Sequence, residues 1–182
     1  MTIGLVRHFR VAAPPKRAWM SGAQFNEWVS QYEAAEIWQS AECKSSGHVW
    51  ARCLCSDQSR AISTARLIYA GELLFTAKLR EVRIAAVPLG GCRLPTACWL
   101  ILGRIFWSFE HHSQPENRHS VIGRVKDAVD ALECEQKLGN VLAVSHGAFM
   151  KLLDRELRRR GYKGKRMINP RNGQLYVYEK KT

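Results

Sequence analysis

The run Val141-Leu142-Ala143-Val144-Ser145-His146-Gly147-Ala148-Phe149 passes from apolar residues, through a polar pair and a glycine, into the spacing of a helix. A short, unbroken apolar segment bounded by turn residues has the pattern of a strand covered on both faces. Val141–Val144 is therefore expected as an interior strand, and Ala148 to about Arg160 as the helix after it. Working outward, the same unit recurs. Ile3–Val6 is another apolar run and ends in Arg7 and His8. Val49–Cys55 is a third, with Ser56-Asp57 as a capping pair ahead of the helical spacing Ala61, Thr64, Ala65, Ile68. A further short strand is expected about Ala77–Val82, with Glu81 near its end. Ser21, as N-cap, opens a helix to about Glu36 that carries Phe25, Trp28, Val29 and Tyr32 on one face. Helical spacing returns from His119 to about Leu138 and stops at Gly139-Asn140. Asn172-Gly173 then turns the chain into a closing strand, Gln174–Tyr178. Apolar runs alternating with helices imply an α/β fold, a three-layer sandwich with a mainly parallel central sheet and helices on both faces.

The chain has 182 residues, a length at which one domain buries about 70% of the surface its unfolded form exposes. A single domain over residues 1–182 is expected, with 83–118, rich in Gly and Pro, as a lid or insert region. Within that region Trp99, Leu102, Phe106 and Trp107 leave three readings open: a cover over a pocket, core packing, or a contact in a homo-oligomer. Hydrophobic residues at 46% and charged residues at 24% exclude a disordered chain. The densest apolar segment, Leu94–Phe109, is interrupted by Gly103-Arg104 and is short for a bilayer span. With no basic head and apolar stretch at the N-terminus, a cytoplasmic protein without membrane attachment is expected. The cysteines Cys43, Cys53, Cys55, Cys92, Cys98 and Cys134 are then expected as free thiols. Cys53 and Cys55 share one face of a strand and, with His48, resemble a fragment of a metal site. Without a second ligand pair at zinc spacing, core packing is the expectation.

The formal net charge is +12. Its densest stretch is Lys151 to Arg166, which holds Lys151, Arg155, Arg158, Arg159, Arg160, Lys163, Lys165 and Arg166 against Asp154 and Glu156. A basic module for nucleic-acid or phosphorylated partners is one reading. The other is a solvated helix C-terminus, where cations are favourable in their own right. No nucleic-acid-binding motif accompanies the charge, so nucleic acid is not the expected partner.

In open α/β sheets, ligands gather beyond the carboxyl ends of the strands. Arg7, His8, Arg60, Glu81 and His146 all fall there if the strands are neighbours. Singly, each has an ordinary explanation: a strand-end ion pair for Arg7, surface salt bridges for Arg60 and Glu81, satisfied core histidines for His8 and His146. Together, two guanidiniums and a helix N-terminus make an oxyanion site. The ordered set Leu5-Val6-Arg7-His8, Ser56-x-x-x-Arg60-Ala61-x-x-Thr64-Ala65, Glu81 and Val144-Ser145-His146-Gly147 resembles the signatures of the histidine phosphatase superfamily, also called phosphoglycerate-mutase-like. The resemblance runs from Ile3 to Phe149.

That resemblance implies a phosphomonoester substrate of small-molecule type and a nucleophilic His8. It implies Arg7, Arg60, a protonated His146 and Gly147 around the phosphoryl oxygens, and Glu81 as general acid and base. No metal or cofactor is called for. Within the family a phosphatase is favoured over a mutase. The mutase branch is longer and carries an asparagine-bearing stretch after the first motif that this chain lacks. Phe9 departs from the glycine usual after the nucleophile, which either leaves the backbone in an ordinary region or reshapes the site. It is also the one support for a non-catalytic binder of a phosphorylated ligand. Arg10 is read as a second anion contact or as a solvated arginine. His48, His111, His112 and His119 match no signature and are expected at the surface.

Overall fold

The computed structural model describes residues 1–38 and 47–180; Cys43 lies outside them. Among the described residues six strands, β1 (Thr2–Arg7), β2 (Arg52–Ser56), β3 (Leu73–Thr76), β4 (Val141–Ser145), β5 (Tyr162–Gly164) and β6 (Leu175–Lys180), form one sheet in the order β3-β2-β4-β1-β6-β5. The first four strands of that order run parallel; β6 and β5 are antiparallel additions. The helices are α1 (Gly22–Ala34), α2 (Ser59–Ile68), α3 (Thr96–Ser108), α4 (Arg118–Gln136) and α5 (Gly147–Arg159). This is the α/β architecture read from the alternation of apolar runs and helices.

The chain gathers into two compact units. The first, Met1–Arg10, Ile37–Glu81 and Gly123–Thr182, contains the whole sheet with α2 and α5. Its central strands β1 and β4 are buried along almost their full length, as continuous apolar runs require when both faces are covered. On one face Val6, Cys53, Cys55, Leu142 and Val144 meet Ala61 and Ala65, small residues one turn apart on α2. The alternate residues Ile3, Leu5, Val141 and Ala143 are buried as well, so the opposite face is also covered. Cys53 and Cys55 are core residues, and burial pushes the Cys55 thiol up to about 12. His48 is exposed and stacks on Trp50, and the described residues contain no metal-ligating cluster of His, Cys, Asp or Glu. The described cysteines are free thiols.

The second unit, Val11–Glu36 and Val82–Ile122, contains α1 and α3. Ser21 caps α1 in a reciprocal capping box with Gln24. The core here is Met20, Phe25, Trp28, Ile84, Val87 and Trp99. Trp99, only 1% exposed, stacks on Phe25 at 5.9 Å and donates its indole N–H to the Met20 carbonyl at 2.9 Å. The region 83–118 thus folds together with Val11–Glu36, and Trp99 packs in that core. Among the described residues no helix is long and apolar enough to cross a membrane.

Two local expectations are corrected. The strand placed about Ala77–Val82 lies earlier, at Leu73–Thr76. The Thr76 hydroxyl then accepts from the Lys78 N–H, and a 3-10 turn, Ala77–Leu79, follows. Leu79 and Val82 are buried from this turn and the loop after it, not from a strand. The Ser56-Asp57 pair does not cap α2: the N-cap residue is Gln58, and it makes no side-chain cap bond.

Candidate active site

Parallel pairing of β1 with β4 sets Arg7 opposite Ser145, so the residues that follow, His8 and His146, leave the sheet side by side. Their rings lie 5.1 Å apart, centroid to centroid, tilted by 52°. The main chain around His8 is pinned from both sides. Its N–H donates to the Ser145 carbonyl at 3.0 Å, and its carbonyl accepts from Asn172 Nδ2 at 2.7 Å. The imidazole is fixed as well, because Nδ1 lies 2.6 Å from the Phe9 carbonyl. A carbonyl only accepts, so Nδ1 carries the proton and the lone pair is on Nε2.

α2 brings Arg60. Its motif partner Thr64 donates its hydroxyl to the Arg60 carbonyl at 2.7 Å and accepts the Phe9 N–H at 2.8 Å, which ties the exit of β1 to the helix. Arg60 is almost wholly buried, at 2% exposure. Arg7 donates Nη1 to the Pro170 carbonyl at 3.0 Å and lies against Gly147, where a Cβ would come within 3.0 Å of its guanidinium carbon. Gly147 is the first residue of α5, so Arg7 sits at a helix N-terminus. Arg10 is exposed.

Both imidazoles are held neutral in the free protein. His8 is lowered to about 4, first by burial and then by the charges of Arg60 and Arg7, against the hydrogen bond to Phe9 and the charge of Glu81. His146 is well below the ordinary histidine value for the same leading cause, with His8, Arg60, Arg7 and Arg124 adding to it. Burial among cations thus disfavours a proton on His146 in the free protein; the protonated form expected from the resemblance is the one holding a phosphoryl group. Its Nε2 is 2.8 Å from the hydroxyl of Ser56, a fully buried residue. Its Nδ1, like Arg7 Nε, is buried without a hydrogen-bond partner. Orphaned buried polar atoms are rare; an oxyanion accepts from a guanidinium N–H so placed, and from His146 Nδ1 when that nitrogen carries a proton.

Glu81 is in the loop after the 3-10 turn, not at a strand end. Its carboxylate accepts the Ala148 N–H at 3.1 Å and the Phe149 N–H at 2.9 Å, which caps α5 from outside the helix. The preceding residue, Arg80, forms a bidentate pair with Asp57 at 2.7 and 2.6 Å and holds that carboxyl below its usual range. Arg124 donates to the Arg80 carbonyl at 2.6 Å and lies over the Phe149 ring at 4.6 Å. Sequence reasoning passed over Ser56, Gln58 and Arg124. Ser56 and Gln58 stand inside the quoted Ser56-x-x-x-Arg60 pattern; Arg124 carried no local signal, since only the fold brings α4 to this loop.

Phe9 keeps an ordinary backbone: among the described non-glycine residues only Glu110 has positive φ. Its ring is 1% exposed and closes against Gly173, where a Cβ would come within 2.7 Å of it. Gly173 itself has φ +69°, so it suits that turn twice over.

The profile of the histidine phosphatase superfamily (branch 1) matches residues 33–181, a span that includes Arg60, Glu81 and His146 and begins after Arg7 and His8. The chain belongs to that superfamily. Its fold is similar to the structure of the open reading frame Rv3214 from Mycobacterium tuberculosis (TM-score 0.63, 15% identity, covering 97% of this chain and 89% of that one). It is also similar to TTHB049 from Thermus thermophilus (0.58, 17%, 97% and 92%) and to the alpha-ribazole phosphatase from Shigella flexneri (0.56, 18%, 97% and 89%). No curated protein sequence matches the chain.

Proposed function

We propose that this protein is a phosphatase that hydrolyses a phosphomonoester of a small molecule through a phosphohistidine on His8, using its own guanidiniums rather than a metal for charge. One observation carries the reading: the Phe9 carbonyl fixes the His8 tautomer, so a neutral Nε2 lone pair is available among Arg7, Arg60 and His146. Nε2 attacks phosphorus, and the bond from phosphorus to the ester oxygen breaks in line with it. Arg7, Arg60, the buried Nδ1 of His146 and the N-terminus of α5 at Gly147 take the three non-bridging oxygens. A bound dianion also favours protonation of His146, which the free site opposes. The departing alkoxide takes a proton from Glu81; water then attacks the phosphohistidine and returns a proton to that carboxylate. Each Glu81 oxygen that accepts one main-chain N–H keeps a second lone pair, so a proton can be carried without giving up the cap.

The test is hydrolysis of an aryl phosphate with trapping of the acid-labile, base-stable label. His8→Ala is expected to abolish both turnover and labelling. Glu81→Gln is expected to slow turnover by about 10²- to 10⁴-fold. Wild-type turnover in His8→Ala removes the reading. Partition of a labelled phosphoryl group to a second acceptor rather than to water would instead favour a phosphotransferase of the mutase type.

A further inference from the structure

Gln58 stands at the N-cap of α2, where a polar side chain ordinarily binds the first N–H groups of its own helix. It does not do so here. Its Oε1 instead accepts from Arg60 Nη2 at 3.2 Å and from the Glu81 N–H at 3.3 Å. A single carboxamide oxygen therefore joins a guanidinium of the phosphoryl clamp to the main chain of the proton carrier. The Gln58 main chain is tied to the other imidazole as well: its N–H donates to Ser56 Oγ at 3.4 Å, and that hydroxyl meets His146 Nε2. The start of α2 rests on main-chain bonds, the Ala61 and Ile62 N–H groups donating to the Gln58 carbonyl at 2.9 and 3.1 Å. The side chain is thus not needed to begin the helix.

We propose that Gln58 is a positioning residue that sets the separation of Arg60 and Glu81, and so aligns the proton donor with the leaving oxygen of a clamped phosphoryl group. The inference rests on the phosphatase reading above. It predicts an effect that depends on the leaving group. A phenolate of low basicity departs without help, whereas an alkoxide needs the Glu81 proton in the transition state. Loss of general clamp strength or of fold would slow both esters alike.

The experiment compares kcat for an alkyl phosphate and a nitrophenyl phosphate in Gln58→Met, which keeps length and loses the acceptor, and in Gln58→Glu, which keeps it. Two hydrogen bonds are removed, so Gln58→Met is expected to lower kcat for the alkyl ester roughly 10- to 100-fold. The aryl ester should change several-fold less. Gln58→Glu is expected to restore the alkyl-to-aryl ratio while raising KM, because its charge competes for Arg60. An unchanged ratio in Gln58→Met, with the wild type active and forming a phosphohistidine, overturns the role of Gln58 and leaves the phosphatase reading intact. A wild type that forms no phosphohistidine overturns both. A ratio lowered in Gln58→Met and equally lowered in Gln58→Glu also removes the positioning role, since the acceptor would then not be what matters.

Discussion

At Gly147 the missing side chain lets the Arg7 guanidinium lie on the first turn of α5. In Gly147→Ala the new Cβ would stand 3.0 Å from the guanidinium carbon and 3.1 Å from Nε, so Arg7, held by its bond to Pro170, has to give by a few tenths of an ångström. Alanine suits a helix start, and the fold is expected to be kept. KM for an aryl phosphate is expected to rise roughly ten-fold, the worth of one good charge-assisted contact, with the unfolding midpoint nearly unchanged; steady-state kinetics beside a melt separates the two. At this scale the sequence was informative about residue type and order. It was silent about state. That Arg7, His8, Arg60 and His146 belong together followed from motif order, but the neutrality of both imidazoles arises from burial that only the finished fold creates. The same holds for Phe9: its bulk raised the question of a reshaped pocket, and the answer depends on Gly173 waiting across the turn.

α5 shows what an element adds. It begins at His146 and Gly147, takes its capping carboxylate from Glu81 in another loop, and ends in Arg158, Arg159 and Arg160. Those arginines are committed: Arg158 to Asp154, Arg159 to Glu156, and Arg160 to Glu156, Asp130 and Glu133. Glu156 is held down to about 2, first by its bond from Arg159. Three of the eight cations named in the basic stretch, those at the end of α5, are therefore paired within the protein. Arg160 fastens α5 to α4, so Arg160→Met is expected to destabilise by roughly 1–3 kcal/mol. Urea unfolding measures this; catalysis at saturating substrate should hardly change. β1 and β4 were legible because their apolar runs are unbroken. β3 was misplaced because it is a short edge strand with Phe75 half exposed, while Leu79 and Val82 beyond it look more buried. β5 had no apolar pattern to read, being defined by its pairing with β6.

Across the whole molecule, the two depressed histidines couple stability to pH. Each has a folded value below the unfolded one near 6.5, so below that pH the unfolded chain binds protons the folded chain refuses. Stability is then expected to fall as pH drops from about 6.5 toward about 4, the window set by His8. The loss due to Glu156 begins lower, from its usual 4.5 toward about 2. Thermal melts between pH 7 and 4.5 check this. The slope should flatten in His8→Asn, and inorganic phosphate, as a ligand of the folded state, should raise the melting temperature. His8, the proposed nucleophile, should stay unprotonated in the free protein down to about pH 4.

The parallel register of β1 with β4 has a consequence for how activity is born. His146 and its hydroxyl partner Ser56 are 90 residues apart along the chain, and His8 is farther still from His146. Local helices can form early, but closing such long loops is the slow part of building a parallel sheet. During refolding, recovered turnover should therefore lag behind helical signal. On the proposed mechanism that lag would report the docking of β4 between β1 and β2, which sets His8 beside His146.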